Sequence, residues 1–400
     1  MRINRPVFRL IAALKVSAIL VLSGCAAPAR LQAVPQDQTL RAEIPGMPGV
    51  RYVVPDGLAD FLPDAQRAAA AEEKFRASAG MTGSLPPANF LAISGGGDDG
   101  AYTAGILNGW TAAGNRPEFR LVTGVSTGAL IAPFAFLGPR YDAALREFYT
   151  GVTPKDILEQ RNLFSGITGD ALADNTPLKR LVRRSITAEM LKEVAAEDAK
   201  GRTLLVGTTN LDARRPVIWN LTKIAASGHP KSLELFQELM VASAAIPGAF
   251  PPTMFDVEVD GRPYHEMHVD GGASAQVFVY PASLNLKAEA ARAGIVRARA
   301  LYVIRNTKLA PSWSDVERNT MTIIGRSISS LIQTQGIGDL YRIYAVAQRD
   351  GVDFNLGFIP GNFDAPHKEE FDTDYMRALY KLGYDQAAKG YPWEKRPPGM

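Results

Sequence analysis

Along this chain, apolar residues gather into short unbroken runs that open into glycine-rich turns and then into helix-compatible stretches. That is the pattern of strand-loop-helix units built around a buried sheet. Asn89 to Ser94 is one such run; it opens into Gly95, Gly96, Gly97, Asp98, Asp99 and Gly100 and continues as Ala101 to Leu107. Phe119 to Ser126 repeats the arrangement, turning tightly between Gly124 and Gly128 before the apolar stretch from Thr127 to Ala132. Leu204 to Asp212 and Tyr302 to Asn306 read as further strands, and Met267 and Val269 alternate with polar positions before a turn at Asp270, Gly271 and Gly272. Helical patterns mark Phe61 to Ser78, Ala188 to Ala199 and Tyr375 to Ala388. Ile323, Ile324, Ile328, Leu331 and Ile332 recur at helical spacing, followed by Leu340, Ile343 and Tyr344, and all are expected in the core rather than in contact with a membrane. The pattern predicts an α/β fold, a mainly parallel sheet flanked by helices, with its functional loops at the strand C-terminal ends.

Ser126 stands at the centre of a G-x-S-x-G turn between a strand and a helix, the arrangement that exposes a nucleophilic hydroxyl at a helix N-terminus. A serine hydroxyl is a weak nucleophile at neutral pH and needs a base, together with donors for the oxyanion. The amides of Gly95, Gly96 and Gly97, unshielded by side chains and entering a helix, offer such donors. Gly95, Gly97 and Gly100 also satisfy a dinucleotide-binding G-x-G-x-x-G. That fingerprint wants an acidic residue after the next strand, and the nearest candidate, Glu118, precedes it. Asp270, at a strand end, can serve as the base, provided that desolvation lifts it from an ordinary pKa near ~3.9. His265 and His268, three apart on a strand, face opposite sides, so no metal site is read there.

Taken in order, Ser94 to Gly105, Gly124 to Gly128 and Asp270 to Gly272 resemble the patatin-like phospholipase family. Leu204 to Asp212 resembles that family's central strand, and Ala242 to Pro252 its stretch before the aspartate, so the likeness covers about residues 88 to 280. The resemblance implies a patatin-like Ser-Asp dyad hydrolase fold with Ser126 as nucleophile and Asp270 as proton acceptor, no histidine being required. It also implies an oxyanion loop at Gly95 to Gly97, motif glycines at Gly100, Gly124, Gly128, Gly271 and Gly272, no cofactor, and a phospholipid, lysophospholipid or other acyl-ester substrate. One position departs from the family: many members carry a basic residue where this chain has Asp99. Asp98 and Asp99 are expected to face outward, where they suit the helix dipole. Two other readings stay open. One is an α/β-hydrolase with a Ser-Asp-His triad, for which only His367 follows Asp270, in a stretch that reads as a solvated loop. The other is an inactive hydrolase fold that binds lipid or protein partners.

The N-terminus adds a location. Arg2, Arg5, Arg9 and Lys15 precede an apolar stretch from Val16 to Leu22, followed by Ser23, Gly24 and Cys25. This reads as a signal peptide over residues 1–24. Leu22 to Cys25 resembles a lipobox, which implies lipidation of Cys25 and an exported protein anchored to a bacterial outer membrane. Cys25 is the only cysteine, which excludes an intramolecular disulfide. Removing residues 1–24 takes four of the 44 basic residues and none of the 41 acidic ones, leaving a near-neutral protein with no argument for a nucleic-acid partner. Residues 25–87 read as a tether with a possible helix, and 88–400 as the catalytic domain. Within the latter, 141–200 reads as an insertion, either a cap over the acyl cleft or a solvated helical hairpin.

Overall fold

The strands of the computed structural model are, in chain order, β1 (Arg51–Val53), β2 (Ala88–Ile93), β3 (Phe119–Val125), β4 (Glu159–Gln160), β5 (Ala173–Asp174), β6 (Thr203–Asn210), β7 (Arg215–Asn220), β8 (Thr253–Val259), β9 (Arg262–Asp270), β10 (Arg299–Lys308) and β11 (Asp353–Ile359). The structure describes residues 30–160, 171–311, 313 and 315–400; the signal-peptide stretch and Cys25 lie outside them. The main sheet runs β1-β7-β6-β3-β2-β10-β11, parallel from β6 to β11, while β7 and β1 extend it antiparallel. This is the expected α/β architecture. Helices cover both faces, which is why β2 and β3 read as continuous apolar runs rather than alternating ones.

One face of the sheet packs against helices Gly100–Ala112, Thr127–Leu137 and Ser232–Ser243, and helix Thr373–Ala388 packs on the first of these, the layer including Ile106, Phe134 and Leu379. The C-terminal helix lies so close to Gly100–Ala112 that a Cβ at Gly105 would fall 2.1 Å from the Tyr380 carbonyl oxygen. The other face is covered by the inner half of helix Thr320–Asp350 and by Val277 and Val279.

Three features differ from the sequence reading. Residues 30–87 do not run free as a tether. Arg30 makes a bidentate pair with Asp212 at 2.8 and 2.7 Å, β1 is an edge strand on β7, and Arg51 is buried in a pair with Glu266. The described helices of 141–200 are not a solvated hairpin either, since Leu145, Leu178, Leu181 and Val194 belong to the core. Finally, Ile323, Ile324, Ile328 and Leu331 are not in the core but 46–70% exposed, whereas Leu340 and Ile343 on the same helix are buried. The cause is length. At 1.5 Å per residue, 31 helical residues span ~46 Å, while the seven residues of β11 span only ~23 Å, so the helix outruns the sheet it covers.

Candidate active site

Ser126 follows β3 and caps helix Thr127–Leu137 with φ 55° and ψ −126°, a backbone conformation that costs a non-glycine residue energy and persists only where the surroundings fix it. The two glycines of the motif are what let the surroundings do so. A Cβ on Gly124 would lie 2.3 Å from the Gly128 carbonyl oxygen, and one on Gly128 2.3 Å from that of Ile93. The turn is also held from below: the Ser126 N–H donates to Ser243 Oγ at 3.0 Å, and that hydroxyl donates to the Gly207 carbonyl at 2.7 Å. Sequence reasoning missed Ser243. It lies within the stretch before the aspartate, but nothing in its spacing marks it as a brace.

Strand β6 brings Ser126 and Asp270 together. On one side it pairs with β3 as far as Val125 opposite Gly207; at the next residue β9 arrives antiparallel, with Asp270 opposite Thr208. The first residue past β3 and the last residue of β9 therefore meet. Gly271 makes room, since a Cβ there would lie 2.4 Å from the Gly207 carbonyl oxygen. The Asp270 carboxylate lies beside the Ser126 hydroxyl, which favours its ionised form, and accepts the Gly272 N–H at 2.7 Å. Burial is the dominant influence and raises its pKa from 3.8 to about 7, against the lowering effect of the Ser126 hydroxyl and the Gly272 N–H. The desolvation that the sequence required is present.

The glycine loop lies across from this pair. The Gly95 N–H is already spent on the Gln276 carbonyl at 3.1 Å, which corrects the expectation that all three loop amides are free. Among the described residues no acceptor takes the N–H of Gly96 or Gly97, and Gly97 lines the cleft beside Ser126. Gly96 packs on β10, where a Cβ would lie 2.1 Å from the Asn306 carbonyl oxygen. Asn306 fixes the loop in turn, donating its N–H to Ser94 Oγ at 2.8 Å and its Nδ2 to the Ser94 carbonyl at 2.9 Å. The neighbouring Arg305 is buried, with its pKa lowered by burial to about 10. Its Nη1 lies 3.5 Å from Gln276 Oε1, and Gln276 Nε2 donates to the Gly272 carbonyl at 2.8 Å. A positive charge thus sits two contacts from the Asp270 turn, supplied from β10 rather than from the loop. Its position in an apolar strand gave no sign of this.

Asp98 and Asp99 do not face solvent as expected. Asp98 Oδ2 meets His367 Nε2 at 2.7 Å and accepts the Phe371 N–H at 2.9 Å. Asp99 Oδ1 accepts the Tyr375 hydroxyl at 2.6 Å, and burial is the main cause that lifts its pKa to about 7. His367 stacks on Tyr375 with ring centroids 4.2 Å apart. The C-terminal segment therefore covers both carboxylates, and His367, read as part of a solvated loop, is engaged with Asp98 and not with Asp270. His268 is structural: it is fully buried, and its two ring nitrogens lie 2.8 Å from Thr208 Oγ1 and 3.1 Å from Glu266 Oε2. Among the described residues no group of three His, Cys, Asp or Glu side chains is placed to hold a metal ion.

A narrow apolar cleft opens onto Ser126, lined by Leu130, Phe148, Ile157, Leu178, Phe250 and Met376 among others. Phe148, Ile157 and Leu178 come from the 141–200 insertion. An apolar wall beside a buried Ser-Asp pair and two unsatisfied amides fits an acyl chain attached to a reacting carbonyl.

Residues 91–283 match the family model of the patatin-like phospholipases. No curated protein matches the chain. Among solved structures, VipD from Legionella pneumophila is similar at 12% identity with a TM-score of 0.36, over 76% of this chain and 66% of that one.

Proposed function

Residues 91–283 of this chain are a domain of the patatin-like phospholipase family, a family of lipid acyl hydrolases, and from that premise we propose that the protein cleaves acyl esters of phospholipids or lysophospholipids through a Ser126–Asp270 dyad. The observation that carries the proposal is the meeting, at the ends of β3 and β9, of a strained, cleft-facing Ser126 and a buried Asp270 whose pKa burial lifts to about 7.

The proposed reaction runs in two halves. Ser126 Oγ attacks the ester carbon while its proton passes to Asp270, and the amides of Gly96 and Gly97 hold the oxyanion. Collapse of the tetrahedral intermediate expels the alcohol, which takes the proton from Asp270. Water then attacks the acyl-enzyme, giving up a proton to Asp270, and the free fatty acid leaves as Ser126 recovers its proton. A base poised near neutral pH suits both half-reactions. The test is fatty-acid release from a panel of phospholipids, lysophospholipids and simple esters. Wild type should release acid, whereas Ser126→Ala and Asp270→Asn should fall by at least ~10³-fold. Release by Ser126→Ala at the wild-type rate would overturn the reading.

Lipidation at Cys25 belongs to the same proposal: the lipobox-like Leu22 to Cys25 would place the enzyme on an outer membrane, beside its substrate. Incorporation of a labelled fatty acid that persists in Cys25→Ser would refute it.

A further inference from the structure

The outer half of helix Thr320–Asp350 leaves the body of the protein on the edge where the site lies. The helix connects β10 to β11, which are parallel, so it runs back against the strand direction and begins at their C-terminal edge. That edge also carries Ser94 to Gly97 and Ser126. Gln333 ties the helix to the end of β10 through the Lys308 and Leu309 carbonyls at 3.1 and 3.2 Å. Gln335 donates to the Ser274 carbonyl, in the turn that follows Asp270. From Thr320 to Leu331, roughly 18 Å of helix projects past these anchors.

The projecting part has the chemistry of a surface that meets lipid. At 100° per residue Ile324, Ile328 and Leu331 form one stripe, with Arg326 on the opposite side. Those three are 48, 46 and 70% exposed, and the approach to the helix presents Trp313 at 90%. Asp315 and Glu317 lie with Arg318 in the approach, while the projecting helix itself, from Thr320 to Leu331, carries Arg326 and no acidic residue, a balance that suits anionic headgroups. Two of the three intervening hydroxyls bond back into the helix: Ser327 Oγ donates to the Ile323 carbonyl at 2.8 Å and Ser330 Oγ to that of Arg326 at 2.9 Å. No described helix is long and apolar enough to cross a membrane, so the arm would lie in the interface rather than span it.

We propose that residues 320–331 form an interfacial arm that seats the catalytic edge on an anionic phospholipid surface. Its purpose rests on the hydrolase reading; its binding does not. The test uses the full chain carrying Cys25→Ser and Ser126→Ala, so that neither an acyl anchor nor turnover contributes, in flotation with phosphatidylethanolamine and phosphatidylglycerol vesicles. Adding Ile324→Asp and Leu331→Asp should lower vesicle partition by about tenfold or more, while Ile324→Phe and Leu331→Phe should preserve it. Both residues are exposed, so the thermal transition should stay unchanged and a folding defect would be visible as its loss. With Ser126 and Cys25→Ser, the aspartate pair should slow fatty-acid release from vesicles about tenfold and leave turnover of a soluble short-chain ester intact. Equal partition of the parent and the aspartate pair overturns the arm. So does a dimer, seen by sedimentation, that the aspartates dissolve without changing vesicle binding, since the stripe then holds a second copy. Absent soluble-ester turnover would instead sink the hydrolase reading, with the flotation result still deciding the arm.

Discussion

Between about pH 4 and 7 folded Asp270 holds a proton that the unfolded chain releases, and two consequences follow in opposite directions. As base it must be ionised, so kcat/KM should rise with pH and level off above about 7, falling tenfold per unit on the acid side. A pH-rate profile on a soluble ester checks this. For stability the sign reverses: with a folded pKa of about 7 against 3.8, the native state binds the extra proton between those values, and stability falls as pH rises across that window. Asp270→Asn should therefore raise the melting temperature at pH 8 and leave it nearly unchanged at pH 4, a gain on the order of 1–4 kcal/mol that calorimetry would detect. The same residue should lose turnover and gain stability. Ser243 acts on the serine's backbone, not on substrate. Ser243→Ala should cost about 1–2 kcal/mol and lower kcat more than it changes KM, by steady-state kinetics. His367→Ala separates the dyad from a triad: it should reduce kcat less than ~10-fold, whereas loss of a triad histidine would cost ~10⁴-fold or more.

At the level of elements, the strand-turn-helix units were legible because a parallel strand buried on both faces leaves an unbroken apolar run, and the turns that follow need glycine where backbones touch. The positions of Ser126 and Asp270 at strand ends were legible for that reason. What joins them was not: the handover on β6 from β3 to β9 depends on pairing register between segments far apart in the chain. The fate of Asp98 and Asp99 was hidden for a similar reason, because their partners His367, Phe371 and Tyr375 lie beyond residue 360. Periodicity misplaced Ile323, Ile324, Ile328 and Leu331, since it reports which side of a helix is apolar but not whether anything covers that side. The closeness of the C-terminal helix to Gly100–Ala112 is testable alone. Gly105→Val would push branched carbons into the Tyr380 carbonyl, and denaturant unfolding should show a loss of about 2–4 kcal/mol.

In the whole molecule, the segment before the patatin-like domain is part of its architecture. Arg51 and Glu266 join β1 to β9, the strand that ends in Asp270, by an ion pair almost without solvent contact. Arg51→Ala would strand a buried carboxylate, and about 3–5 kcal/mol of stability should be lost in thermal or denaturant unfolding. The result is a domain whose site gathers a serine from β3, an aspartate from β9, amides from the loop after β2 and an apolar wall from the insertion, with a helical arm on the same edge. The account stands on the serine being a nucleophile activated by Asp270. Intact-mass and peptide mapping after treatment with a fluorophosphonate test it most directly: one adduct should form on Ser126, faster at pH 8 than at pH 5 and at least ~10²-fold slower in Asp270→Asn. Folded protein that gains no adduct at Ser126 would contradict it.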